Sequence, residues 1–352
     1  MPSAAIFKTS LDVLYYSGAS TALRGMFAGS GAIFMLHHVY PGGGLQPGFA
    51  PNAGIELTPE FLDAVLTCLP EWGFEFVTFD EAVDRISRGE RGDKPFATFT
   101  LDDGYRDNLL HAKPVFERHN CPYAIFVAPS ITDGTCQLWW RGLESAIAAT
   151  DRVDATVGSE VFSMPSVTPE QKQEAWLRLY WPIRKLEQHV QRTWIEAFCV
   201  SHGVDLARIC TDAAMTWDEL RGIARDPLCT IGAHTINHFA VSQLPEQEAL
   251  DEMVQSAGRI ERELGERPKY FAYPYGDEAS AGPRDFRLAA KAGFQAAITT
   301  RKGMIYPGHR DHLFGLPRVS LSGSYQNLRY VKTLVSGVPF MLFNGMKKVN
   351  VS

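Results

Sequence analysis

The chain has 352 residues, of which 45% are hydrophobic, 11% aromatic and 21% charged. That composition excludes disorder, collagen and coiled coil, and it supports a large buried core. Length alone allows two or three domains, or a single α/β barrel. With 34 basic and 40 acidic residues the net charge is −6, which leaves no electrostatic footprint for nucleic acid. A neutral or cationic partner fits better.

Six cysteines, at positions 68, 121, 136, 199, 210 and 229, form no C-x-x-C pair. Reduced, mostly buried thiols in a cytosol-like compartment are expected. Met1 to Phe7 has no basic n-region, and Lys8 follows without a secretory apolar stretch, so no export signal is read. The apolar run Ala32–Leu36 is far shorter than the roughly 20 residues that span a bilayer. The first expected element is a helical segment over residues 1–30. Within it Leu11–Phe27 is read as one amphipathic helix, with Leu11, Leu14, Tyr15 and Leu23 as its apolar stripe. Packing on the domain is its expected role, and resting on a membrane surface is the alternative.

Strand-like runs then alternate with helix-like segments. The runs are Ala32–Val39, Phe74–Phe79, Ala97–Leu101, Tyr123–Ala128, Thr230–Ala233, Tyr270–Tyr273 and Ala296–Thr299. Most are continuously apolar, as strands covered on both faces are. Helices are expected over Pro59–Trp72, Glu81–Arg88, Asn108–His119, Trp217–Arg225, Pro245–Leu264 and Pro283–Ala292, with Gly73, Gly265 and Gly293 as C-terminal stops. The alternation predicts an α/β fold, a distorted seven-stranded parallel (β/α) barrel spanning residues 31–330. Residues 135–215 break the rhythm and are read as a helical insertion, opened by Trp139-Trp140 and a polar segment, Ser159–Pro169. Residues 331–352 are expected as a tail.

Chemistry concentrates at strand ends. Thr98–Tyr105 runs from an apolar strand into Asp102, Asp103 and Gly104. A turn beginning at Asp103 aims both carboxylates into one pocket, one for a metal and the other as a base; the alternative is that they cap the next helix. His234 and His238 stand in an i, i+4 relation after another short strand, which places both rings on one face of a helical turn. Alone, that spacing is often accidental. Together, one carboxylate and two histidines on the same rim make an open three-ligand set, the kind that lowers the pKa of water and polarises a carbonyl. Tyr273, Pro274 and Tyr275 follow the sixth run and suit a sugar-binding wall, or else a core strand closed by a turn. Of His37 and His38, adjacent on the first run, only one enters the pocket. Arg318, after the last run, is a cation near the rim or a surface or packing residue.

On these residues the chain resembles the polysaccharide deacetylase (NodB-homology) family, carbohydrate esterase family four. Thr100-Leu-Asp-Asp-Gly104 is similar to its T-F-D-D-G motif, His234-Thr-Ile-Asn-His238 to H-[ST]-x-x-H, and Ala272-Tyr-Pro-Tyr275 to R-x-P-Y. The resemblance covers roughly residues 30–320. It implies Asp102 as general base, Asp103, His234 and His238 as ligands of a divalent metal, Zn²⁺ by default, and the backbone N–H of Tyr105 as an oxyanion donor. Two departures stand out: the motif arginine is Ala272, and no late L-x-H segment follows the last run. The branch with an early Y-H-x-V, resembling poly-N-acetylglucosamine deacetylases, places His37 as the acid through Leu36-His-His-Val39. Arg318 is expected to replace the missing arginine from a neighbouring strand. Trp139 and Trp140 resemble the start of that branch's insertion and line a glycan groove or pack in a core.

The implied activity is hydrolysis of N-acetyl groups on amino sugars of a polysaccharide, oligosaccharide or lipid-linked precursor. Formyl or cyclic-amide substrates, sugar O-acetyl esters and an inactive glycan-binding barrel are the alternatives. Cytoplasmic action at the inner membrane face is the expected location.

Overall fold

The computed structural model describes residues 4–42 and 48–351. Residues 1–3 of the expected N-terminal segment and residue 352 of the expected tail lie outside them. Seven parallel strands form a closed ring: β1 (Gly31–Leu36), β2 (Phe96–Asp103), β3 (Tyr123–Val127), β4 (Cys229–Ala233), β5 (Tyr270–Ala272), β6 (Ala296–Lys302) and β7 (Leu316–Ser320). Each pairs with the next in chain order. The ring closes where β1 pairs with β7 through Phe34 and Val319 and with β2 from Gly31–Phe96 to Leu36–Leu101.

The expected strand count is observed with one exchange of membership. Only Glu75–Phe76 of the run Phe74–Phe79 is extended, and it pairs with the start of β2 outside the ring. Thr78 ends it, because its side chain accepts from the Glu81 N–H and caps a helix, Phe79–Arg88. The seventh ring strand is instead β7, which Pro317 disguises. Proline has no N–H for a ladder, and the β6–β7 register shifts between its Ile298–Leu316 and Lys302–Arg318 pairs.

Three further expectations are corrected. Residues 11–27 are two helices, Ala4–Tyr16 and Ala19–Phe27, broken at Gly18 in the left-handed region (φ 75°); of the expected stripe Leu11 is buried, while Leu23 is exposed. The polar segment 159–169 holds one arm of an antiparallel hairpin, Arg152–Val157 with Glu160–Pro165. Its alternation buries Val153, Val157, Phe162 and Met164. The expected tail folds into the helices Leu328–Leu334 and Val338–Phe343, with Val331, Leu334, Phe340 and Met341 buried.

Side-chain alternation assigns the two faces of the ring. Ile33, Phe96, Ala124, Phe126, Ala272, Ile298 and Leu316 share one apolar cluster, and Phe34, Phe99, Leu101, Ile125 and Val319 join the cluster under the surrounding helices. The insertion between β3 and β4 has its own apolar core, built on Trp139, Leu143, Ile147, Phe162, Leu179 and Ile195. The inner face continues toward the strand C-termini as Thr100 and Asp102 on β2 and Arg318 on β7. That period of two places the polar groups above the apolar plug.

Candidate active site

Asp102 and Asp103 are successive residues at the end of β2, yet both line one cleft of about 230 Å³. A regular strand would send them to opposite faces. Asp103 adopts φ 78° and Gly104 φ 75°, two successive left-handed residues that turn the chain sharply. For a non-glycine residue this costs on the order of 1–3 kcal/mol, the kind of strain found at functional sites.

Arg318 meets Asp102 in a two-pronged pair. Its Nη1 donates to Oδ1 at 2.8 Å and its Nη2 to Oδ2 at 2.6 Å. The same guanidinium donates to Thr100 Oγ1 at 3.1 Å and, through Nε, to the Thr299 carbonyl at 2.8 Å. Both partners are fully buried. Burial alone would push the Asp102 carboxyl up, but the Arg318 charge and hydrogen bonds, with His234 and His37, hold it below its ordinary value. Arg318 therefore lies inside the barrel, on β7, and not at the surface. Ala272, at the position of the family's arginine, is a small residue of the inner cluster.

Asp103, His234 and His238 converge with one ligand atom each within 4.8 Å of the others. Asp103 Oδ1 lies 3.3 Å from His234 Nε2 and 3.1 Å from His238 Nε2. The donor set fits a divalent cation. Asp103 Oδ1 is buried and makes no hydrogen bond. His234 Nδ1 lies 2.7 Å from the Ala272 carbonyl; donating to it sets the tautomer that leaves Nε2 as a lone pair toward Asp103.

The two histidines do not lie on a helical turn, as their spacing predicts. They flank an irregular loop in which Thr235 and His238 are left-handed, at φ 54° and 57°. Glu252, on the helix Glu246–Leu264, holds that loop by accepting from the N–H groups of Ile236 (3.1 Å) and Asn237 (2.9 Å). Sequence reasoning missed Glu252, because nothing local marks a helical glutamate as an inward anchor.

His37 and His38 part as alternation requires. His37 lines the cleft, with Nε2 3.9 Å from Asp102 Oδ2; burial lowers its pKa against the pull of Asp102 and Asp103. His38 is a buried structural residue. Its Nδ1 is 2.6 Å from Asp107 Oδ2, and its ring stacks on Tyr105 with centroids 3.7 Å apart. The Tyr105 side chain is fully buried there, which anchors the residue that follows the Asp103–Gly104 turn.

Of the expected sugar-binding residues, Trp140 and Tyr275 line the cleft, whereas Trp139, Tyr273 and Pro274 stand behind its wall. Trp139 is wholly buried and donates from Nε1 to the Tyr275 hydroxyl at 2.7 Å. Tyr273 is a core residue whose hydroxyl donates to the Phe314 carbonyl at 2.9 Å. Alternation alone would give residues 273 and 275 one face; they part because Tyr273 turns to the helix side while Tyr275 lies beyond the strand end in a left-handed conformation (φ 61°). The remaining wall was not anticipated. Trp176 and Tyr180 reach it from the insertion helix Pro169–Arg184, and Asn52 from the loop before the 3₁₀ turn Ala53–Ile55. Asn52 Nδ2 donates to Glu144 Oε2 at 2.8 Å and to the Trp140 carbonyl at 3.3 Å. Arg141 completes this buried network, 2.8 Å from Glu56 and 3.2 Å from Glu144.

A closed (β/α) barrel with carboxylates and histidines gathered at the C-terminal ends of its strands defines a barrel hydrolase with a candidate Asp/His/His cation site. The chain belongs to the polysaccharide deacetylase family, whose model matches residues 89–297, and it is thus a hydrolase of amide bonds. No curated protein sequence matches it significantly. Among solved structures it is similar to the deacetylase PplD of Streptococcus pyogenes in complex with acetate, with 16% identity and TM-score 0.57, covering 86% of this chain and 97% of that one. It is also similar to IcaB of Ammonifex degensii, with 19% identity, TM-score 0.54 and coverage of 87% and 96%. A de-N-acetylase of Aggregatibacter actinomycetemcomitans matches with 14% identity, TM-score 0.54 and coverage of 86% and 98%. At these identities the likeness shows a shared fold.

Proposed function

We propose that the protein removes N-acetyl groups from amino sugars of a polysaccharide, oligosaccharide or lipid-linked glycan precursor. The observation that carries this reading is the Arg318-clamped Asp102 beside the Asp103–His234–His238 cluster in one aromatic-walled cleft. Deacetylase and de-N-acetylase neighbours of the same fold support it.

Asp103, His234 and His238 would hold a divalent ion, Zn²⁺ by default, although two histidines and one carboxylate also accept other divalent ions. Such an ion, when bound, supplies Lewis acidity toward an acetyl carbonyl. Asp102 acts as the base: kept ionised by Arg318, it accepts a proton from the attacking water. The backbone N–H of Tyr105, at a sharp strand-to-helix turn, is the donor assigned to the oxygen that becomes negative. His37 donates a proton to the departing nitrogen; its lowered pKa makes the protonated ring a stronger acid. Trp140 and Tyr275 supply aromatic faces to the sugar ring.

We place this activity at the cytoplasmic face of the membrane. All six thiols are free, which suits a reducing compartment; native protein recovered from the periplasm or medium overturns this location. The activity is tested by mass spectrometry of N-acetylated hexosamine oligomers after incubation. A loss of about 42 Da per site, one acetyl group exchanged for hydrogen, is expected. Formate release, or turnover of O-acetyl sugars alone, overturns it.

A further inference from the structure

The two ends of the chain pack into one helical layer whose outer face is apolar and cationic. Helix Ala4–Tyr16 is tied to Leu328–Leu334 by Asp12, which accepts from Arg329 Nε at 2.8 Å. Helix Ala19–Phe27 is tied to Val338–Phe343 where Gly337 (φ 76°) lies so close that a Cβ would stand 1.7 Å from the Phe27 carbonyl oxygen. The Lys302 ammonium bridges both ends, 4.7 Å from the Phe7 ring centre and 4.8 Å from that of Phe343. On this layer Val13, Tyr16, Met26, Leu342, Phe343 and Met346 are each exposed by half or more. Soluble surfaces rarely concentrate large apolar side chains in this way without a partner.

Charge singles out the partner. Residues 4–27 and 328–351 carry six basic side chains against Asp12 alone, a net +5 in a chain of net −6, so the remainder is −11. Lys347 and Lys348 directly follow the exposed Leu342, Phe343 and Met346. An apolar patch edged by lysines, on an otherwise acidic protein, matches an anionic lipid surface, which offers hydrocarbon beneath a negative headgroup layer. No helix among the described residues is long and apolar enough to cross a membrane, so the contact is interfacial.

We propose that this terminal layer docks the protein on anionic membranes, independently of the catalytic reading above. The layer is also linked to the cleft. Phe7 packs on Tyr325 at 5.8 Å, and Ser322, three residues before Tyr325, donates to the carbonyl of Gly54, a cleft-lining residue, at 2.9 Å.

The test is co-sedimentation of the full chain with phosphatidylcholine vesicles, with or without 30% phosphatidylglycerol (about one lipid in three anionic, a strongly charged surface). Binding to the anionic vesicles is expected, with weak binding to the neutral ones. The Lys347→Glu/Lys348→Glu pair should weaken it by on the order of tenfold or more. Leu342→Ser/Met346→Ser should weaken it comparably, with unchanged thermal melting and unchanged turnover of a soluble substrate. No sedimentation with anionic vesicles overturns the proposal, as do variants that bind like the parent. So does a concentration-dependent dimer in lipid-free buffer that Phe343→Ser abolishes, since a second copy then covers the patch. Loss of deacetylase activity alone leaves the vesicle result standing.

Discussion

Arg318 and Asp102 face each other across the barrel interior, from β7 and β2, through two parallel hydrogen bonds of 2.8 and 2.6 Å. The pair joins the last ring strand to the second, two strands around the ring. Breaking a buried pair of this kind by removing one partner typically costs about 3–5 kcal/mol, because the other charge is left uncompensated.

Arg318→Ala is expected to lower kcat/KM at neutral pH by about 100-fold or more, in the range of a lost general base. The sign on pH follows from the balance at Asp102. Burial raises its pKa and Arg318 lowers it, so removing the guanidinium raises the pKa, and the acid limb of the kcat/KM profile moves to higher pH. Arg318→Lys, which keeps the charge without the fork, should shift the limb less. An unmoved acid limb in a folded Arg318→Ala protein would rule out this role.

Chelation should abolish turnover, and Zn²⁺ should restore it. Asp103→Asn and His238→Asn should each reduce the metal retained after dialysis from about one equivalent to near zero, as open three-ligand sites depend on every ligand. Elemental analysis checks this without an activity assay. Full turnover by metal-free protein would sink the mechanism.

Asn52 is held as a hydrogen-bond acceptor toward the cleft, since its Nδ2 is committed to Glu144 and the Trp140 carbonyl. Its Oδ1 can then receive a sugar hydroxyl or amide N–H. Asn52→Ala should raise KM by about tenfold, the worth of one such bond, with kcat nearly unchanged. A fall in kcat at constant KM would place Asn52 among the groups that support the reacting centre instead.

His309 sets a pH dependence of stability. It is fully buried, and its Nδ1 accepts from the Tyr306 N–H at 2.9 Å. Burial lowers its pKa from 6.5 to about 4. In that window the unfolded chain binds a proton that the folded chain refuses. The stability is therefore intact above about pH 6.5 and declines toward pH 4, by roughly 3 kcal/mol from this residue. Urea midpoints measured from pH 7 to 4.5 should fall less steeply for His309→Gln than for the parent. Parallel slopes would exclude this source.

Apolar periodicity and strand-end motifs already specify a parallel barrel with Asp102, Asp103, His234 and His238 at one rim, because these depend on local pattern: continuous apolar runs, capped helices and short polar motifs at their ends. The family resemblance added Arg318 as an expectation, and His37 as the acid. Membership of the ring was less legible. A threonine cap withdrew one apolar run, and a proline hid the strand that carries Arg318. The cleft wall was least legible, since Asn52 meets Trp176 and Tyr180 only through packing between segments far apart in sequence. Composition and charge had excluded nucleic acid and suggested a neutral or cationic partner. Only the fold separated that modest −6 into a basic apolar layer and a strongly acidic remainder, because surface charge is sorted by which ends of the chain meet in space.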